Sequence, residues 1–244
     1  MIAVIHQPNL FPRLKVLQKI ALADIWIVLD DVQFAQREYQ NRMMVVPNHG
    51  CSGPFWCTLP VGLPNGQATR IDCVELKDTD PIQRITKTIL SSFQADITFQ
   101  QDRERLFGSL NLAPASLVEL GIISTLELLR IAGFDPLTIR SSNFKVNTSS
   151  KTLRLVELCK CLNASSYVSD SGGANYLEGE LFDELGIDVL WHVWQAPTGT
   201  RSSELGDQIR NSSGLNLLAR SHQEFVEAVA SCCVSRQRKW SEGR

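Results

Sequence analysis

Apolar residues come as an unbroken run at Ile2–Ile5 and again at Ile25–Leu29. Between the runs they recur with helical spacing at Leu14, Leu17, Ile20 and Ala21. A short continuous run suits a strand buried on both faces, and the 3–4 spacing suits an amphipathic helix over 13–22. Strand, helix and strand predict a right-handed βαβ unit with its strands in one parallel sheet. The middle of the chain reads differently. "RMMVV", "FWCTLPV" and "TRIDCVEL" are short β-like stretches separated by turn-rich spacers, which predicts antiparallel hairpins over 42–78. Helical patterns follow at 80–94, near 100–109 and at 115–131, the first with Asp80 as cap and Pro81 opening the helix.

The pattern then returns to alternation. "PLTIR" at 136–140 reads as a strand, and a helix runs from Ser149 or Ser150 through Cys161. "SSYVSD" is a strand, "GANYL" opens a helix and "DVLWHVW" is a strand. A last helix is expected at 221–234. This order predicts a mainly parallel α/β sheet flanked by helices, with a small β-rich insertion. A single domain over 1–244 is expected, with the polar tail 235–244 fraying.

Composition narrows the class. The 244 residues are 43% hydrophobic and 20% charged, enough to bury a core without staples. A net charge of −2 gives no sign of DNA binding. The apolar runs are too short to span a bilayer, and the first residues lack a secretory leader, so a cytoplasmic protein without membrane contact is expected. The seven cysteines are odd in number, irregularly spaced and without C-x-x-C, which predicts reduced thiols and no metal site.

In a parallel α/β sheet, ligands bind beyond the carboxyl ends of the strands. Three polar corners fall there. His6, Gln7 and Asn9 follow the first strand, where an anion could also meet the helix N-terminus; the plainer alternative is that Asn9 caps that helix. Asp30, Asp31, Gln33, Arg37, Asn41 and Arg42 follow the second. Adjacent carboxylates in extended backbone face opposite ways, so Asp30 and Asp31 are not a dyad. Gly172, Gly173 and Tyr176 follow a later strand, with the glycines allowing close backbone approach. His192, between Trp191 and Trp194, reads as a packed ring more than as a base.

"HQPNLFP…ADIWIVLDDVQFAQREYQNR" and "LVELCKCLNASSYVSDSGGANYLEGELFDELGIDV" resemble the two signature blocks of WbqC-like proteins. Where that family has an aromatic Pro-x-Tyr-x-Gln segment, this chain reads "QAPTGTRSSELGDQIRNSSGLNLLARS". The resemblance implies transfer of an acyl or aminoacyl group, glycyl among them, onto an amine or hydroxyl in a biosynthetic pathway. It also implies a fold like that of nucleotidylyltransferases. Their His-x-Gly-His is absent, since Arg13-Leu14-Lys15-Val16 stands in its place, although "SSKTLR" at 149–154 echoes their Ser-Ser-x-x-Arg.

His6 or Asp31 is then the expected general base, with Gln7 and Asn9 orienting a carbonyl or oxyanion. Arg37 and Arg42 are expected to hold a phosphate or carboxylate, and Gly172-Gly173 to admit the donor. A thioester or an aminoacyl donor would supply the group, brought by a carrier protein or an aminoacyl-tRNA to a small-molecule acceptor. Cys57 and Cys73 rank low as nucleophiles because nothing nearby in sequence activates them. Two alternatives stand beside this: nucleotidyl transfer by an altered site, and a non-catalytic protein that binds a carrier or enzyme.

Overall fold

The computed structural model describes residues 1–49, 53–94, 97–112 and 116–235. Its main sheet contains β1 (Ile2–His6), β2 (Ile25–Val28), β7 (Leu137–Arg140), β8 (Ser166–Ser169), β9 (Asp188–Val193) and β10 (Cys233–Ser235). The order across the sheet is β7-β2-β1-β8-β9-β10. The first five are parallel, and β10 runs antiparallel on the edge of β9. Helix α1 (Leu14–Ala21) joins β1 to β2. The chain builds outward from β1 through β2 to β7, then crosses back to place β8 on the other side of β1. The strand order therefore reverses between β1 and β8, where a ligand crevice forms in such sheets.

Between β2 and β7 lie β3 (Arg42–Val45), β4 (Phe55–Thr58), β5 (Val61–Gly62) and β6 (Glu75–Leu76), in two antiparallel pairs. Helices α2 (Pro81–Ser92), α3 (Ile97–Asn111) and α4 (Leu117–Ile131) follow. Asp80 caps α2 by accepting from the Gln83 amide at 2.8 Å, with Pro81 in the first helical position. Helices α5 (Lys151–Cys161) and α6 (Gly179–Asp183) connect β7, β8 and β9. After β9 come α7 (Thr200–Glu204), α8 (Leu215–Leu218) and α9 (His222–Ala230).

Strand alternation divides the core. Val4, Trp26, Val28, Val168 and Leu190 face a core that includes α1, α4 and α9. Ala3, Ile5, Ile25, Ile27 and Tyr167 face a second core built on α5 and α6.

Three expected elements take other forms. Most of "TRIDCVEL" is not strand: Ile71–Cys73 is a 3-10 turn, and only Glu75–Leu76 pairs. The backbone is used elsewhere, Ile71 N–H donating to Val32 and Asp72 N–H to Asp30. "GANYL" forms only a 3-10 turn at Gly173–Asn175. The Thr152 hydroxyl takes up the Tyr176 carbonyl at 3.1 Å, which a continuing helix would need for itself. The last helix ends at Ala230 rather than 234, and Cys233–Ser235 instead covers the unpaired edge of β9. The expected frayed tail lies outside the described residues except for Ser235.

Candidate functional site

The corner after β1 is clamped from above by α4. A Cβ on Gly121 would sit 2.9 Å from Pro8 Cβ and 3.3 Å from the Pro8 carbonyl carbon, so only glycine permits this approach. The Ser124 hydroxyl accepts the Phe11 amide at 3.0 Å. The Thr125 hydroxyl, which donates to the Gly121 carbonyl at 2.7 Å, lies 3.5 Å from the Asn9 carbonyl. Phe11 is held at φ 46, a left-handed conformation that a bulky residue keeps only where its surroundings impose it. Gly121→Ala is expected to destabilise the fold by about 1–3 kcal/mol, because stiff proline backbone must move. A urea midpoint equal to that of the parent chain would show that the contact is not tight.

The α1 N-cap is Arg13, with no side-chain cap and no acidic residue in the first turn. Asn9 is buried in the corner and does not cap the helix. The positive end of the α1 dipole is therefore uncompensated. Lys15 lies in this first turn, half-buried, and forms no ion pair among the described residues. One turn further on, Lys19 is 5% exposed. Its ammonium lies 3.3 Å from Asp170 Oδ2, just beyond β8.

Register completes the group. Val4 pairs with Val168, and Val168 with Leu190. Two residues further along each strand stand His6, Asp170 and His192, on the α1 side of the sheet. His6 Nδ1 lies 2.8 Å from the Gln7 carbonyl. A carbonyl only accepts, so Nδ1 carries the proton and Nε2 keeps its lone pair. Burial, followed by the Lys19 charge, pushes the His6 pKa down to about 3. Burial likewise lowers His192 to about 4, helped by Lys19 and Lys15. The same burial lowers Lys19, offset in part by Asp170. Burial opposes the charge on Asp170, yet Lys19 and Lys15 outweigh it and hold the carboxyl well below its usual range.

His192 is 5% exposed, and neither ring nitrogen has a hydrogen-bond partner among the described residues. A buried polar group without a partner costs about 1–3 kcal/mol, so it calls for an explanation.

The second corner is a different kind of structure. Asp30 is fully buried, accepting from Arg140 Nε at 2.5 Å, the Ser142 amide at 3.0 Å and the Ser142 hydroxyl at 2.8 Å. Asp31 pairs with Arg154 and accepts from Ser141 at 2.5 Å. Gln7 reaches this side of the corner through Gln40, which donates to its Oε1 at 2.8 Å. Arg42 donates to the carbonyls of Glu38 and Arg37 and covers the Trp56 ring at 4.0 Å. Asn41 donates to the Leu59 carbonyl, and Gln33 to that of Gln67. Arg37, Asn41 and Arg42 line a shallow cavity of about 270 Å³ with Phe34, Thr58 and Leu63.

At the third corner, Asp170 Oδ1 accepts the Gly172 amide at 3.0 Å. A Cβ on Gly173 would fall 2.0 Å from Ser169 Oγ, so the close approach there is made by the chain itself. Tyr176 is 46% exposed, with the Lys151 ammonium 5.8 Å from its ring centre.

The structure thus unites His6 with the β8 corner. It adds Lys15, Lys19 and His192, which sequence reasoning left out of the site. Lys15 and Lys19 are like charges at i,i+4, unfavourable on an ordinary helix, and that spacing was a usable signal. Neither candidate thiol is activated: burial raises Cys57, and the Asp72 hydrogen bond raises Cys73. Among the described residues no group of three His, Cys, Asp or Glu could hold a metal ion, and no helix is long and apolar enough to cross a membrane.

Fold and site together define an α/β protein with a partly buried imidazole–lysine–carboxylate cluster where the strand order reverses. The chain belongs to the WbqC-like protein family, whose model matches residues 7–200. It is also 27% identical over 194 residues to the uncharacterized protein Rv1507c of Mycobacterium tuberculosis, covering 77% of this chain and 80% of that one. No solved structure matches it.

Proposed function

We propose that the chain is a transferase of a biosynthetic pathway. It moves an acyl or aminoacyl group, glycyl included, from an activated donor to an amine or hydroxyl of a small-molecule or sugar intermediate. The observation that carries this reading is His6: a neutral ring with Nδ1 fixed on the Gln7 carbonyl, beside the pair of buried Lys19 and partly exposed Asp170 where the strand order reverses.

His6 Nε2 is the general base that takes the proton from the acceptor. Asp31 is committed to Arg154 and Ser141, which leaves the base role to His6. Gln7 and Asn9 orient the donor carbonyl. Arg37 is exposed beside the cavity at the hairpin, where it and the Tyr39–Trp56 aromatic pair face the bulky part of a carrier protein or an aminoacyl-tRNA. Asp30 and Arg42 hold the loops in place.

The test offers the purified protein amine and hydroxyl acceptors with a thioester, an aminoacyl-tRNA or an acyl phosphate donor. The product should gain the mass of one acyl group. Pyrophosphate release from ATP with no acylated product would favour nucleotidyl transfer. Pathway output unchanged by H6Q would favour a carrier-binding protein.

A further inference from the structure

Within that transferase reading, we propose that Lys15, Lys19 and His192 form an anion subsite for a phosphate directly attached to the transferred carbonyl. The donor is then an acyl phosphate or acyl adenylate, and not a thioester.

His192 supplies the first observation. It is 5% exposed, both ring nitrogens lack partners among the described residues, and its strand register directs it to the face that carries His6 and Asp170. A neutral imidazole has one N–H to donate, and a phosphate oxygen accepts it. Charge supplies the second. Lys15 and Lys19 act on this spot against one carboxylate, Asp170, and Lys15 has no ion-pair partner among the described residues. The uncapped α1 N-terminus, free of acidic residues, adds to the same field. Asp170 is partly exposed, with a third of its side chain accessible, so solvent reaches the Lys19–Asp170 pair from the carboxylate side.

Position selects the donor. Asp170, the partner of Lys19, stands just beyond β8, and β8 pairs directly with β1, which ends at His6, so the anion subsite lies on the strand next to the general base. In an acyl phosphate or acyl adenylate the phosphorus is one oxygen away from the reacting carbonyl. In a coenzyme or carrier thioester the phosphates lie a long pantetheine arm away. The acceptor nitrogen attacks the carbonyl carbon, forming a C–N bond, and its proton passes to His6 Nε2. The C–O bond to phosphorus breaks, and the phosphate or nucleoside monophosphate leaves with the electron pair, held by the lysines and the His192 N–H.

The experiment titrates inorganic phosphate, and in parallel AMP, into the full chain while recording the side-chain nitrogen resonances of His6 and His192. Saturable shifts of His192 are expected with both probes. Lys15→Met and His192→Phe should each weaken phosphate binding at least tenfold; Lys15 is half-buried with no ion pair, so its variant is expected to fold. No His192 shift at saturating phosphate, or equal binding by K15M, overturns the subsite. Acyl transfer from a thioester without phosphate binding overturns the subsite alone. Phosphate binding with no transfer from any donor counts against the transferase reading and leaves the subsite standing.

Discussion

Replacing His6 by Gln is expected to lower kcat by roughly 10²–10⁴, the usual contribution of a positioned general base. Glutamine keeps a polar group on the same strand but offers no lone pair that accepts a proton. Its pH behaviour separates this role from a structural one. In the free protein, burial and Lys19 keep His6 neutral down to about pH 3. The acidic limb of kcat/KM, which reports the free enzyme, should therefore not appear near pH 6.5. An anionic donor neutralises the lysine field, so the ring becomes more basic in the complex and the limb of kcat moves to higher pH. Coincident limbs at 6.5 in both parameters would mean that an ordinary exposed histidine governs the rate. A loss of activity in H6Q with an unchanged pH profile would assign His6 to positioning.

The parallel sheet was legible because β1 and β2 are unbroken apolar runs bracketing a 3–4 pattern, and nothing in their surroundings competes with that preference. Edge strand β10 was not. Its three residues continue the composition of α9, and only the open edge of β9 gives them a partner. Helices α7 and α8 are four or five residues long, below the length at which periodicity can be read. His6 was legible from its place at the carboxyl end of a strand. Lys19 was hidden because lysine on an amphipathic helix normally marks the solvent face, whereas here it is buried and pairs with Asp170 just beyond β8. Gln18, equally buried, donates to the carbonyls of Gln195 and Ala228 and ties α1 to segments more than 170 residues away. Such contacts have no local pattern. His192 could have been found by phase: it alternates with Leu190 on the buried face, while Trp191 and Val193 take the other.

Asp30→Ala is expected to cost about 3–5 kcal/mol of folding stability, the range for breaking a buried ion pair from one side. The loss falls on several donors at once. The Arg140 guanidinium and the Ser142 amide and hydroxyl all aim at this carboxylate, and the position is sealed from water. Burial alone would raise the Asp30 pKa, but these hydrogen bonds outweigh it and lower the pKa below 3.8. The sign follows: the unfolded chain binds a proton first as pH falls, so the contribution is complete above about pH 4 and disappears through the folded value. His6 and His192 add acid sensitivity of their own, from pH 6.5 down to about 3 for His6 and about 4 for His192, because the folded state keeps both rings neutral. That slope is common to the parent chain and the variant and cancels in their difference. Urea unfolding of both proteins should give a gap that is constant from pH 8 to 5 and shrinks below 4. A double variant, D30L with R140M, should recover part of the loss, since neither charge is then stranded. A gap under about 1 kcal/mol at pH 7 would mean that water or a rearranged Arg140 satisfies the pocket, and that β2 and β7 are not joined through this carboxylate.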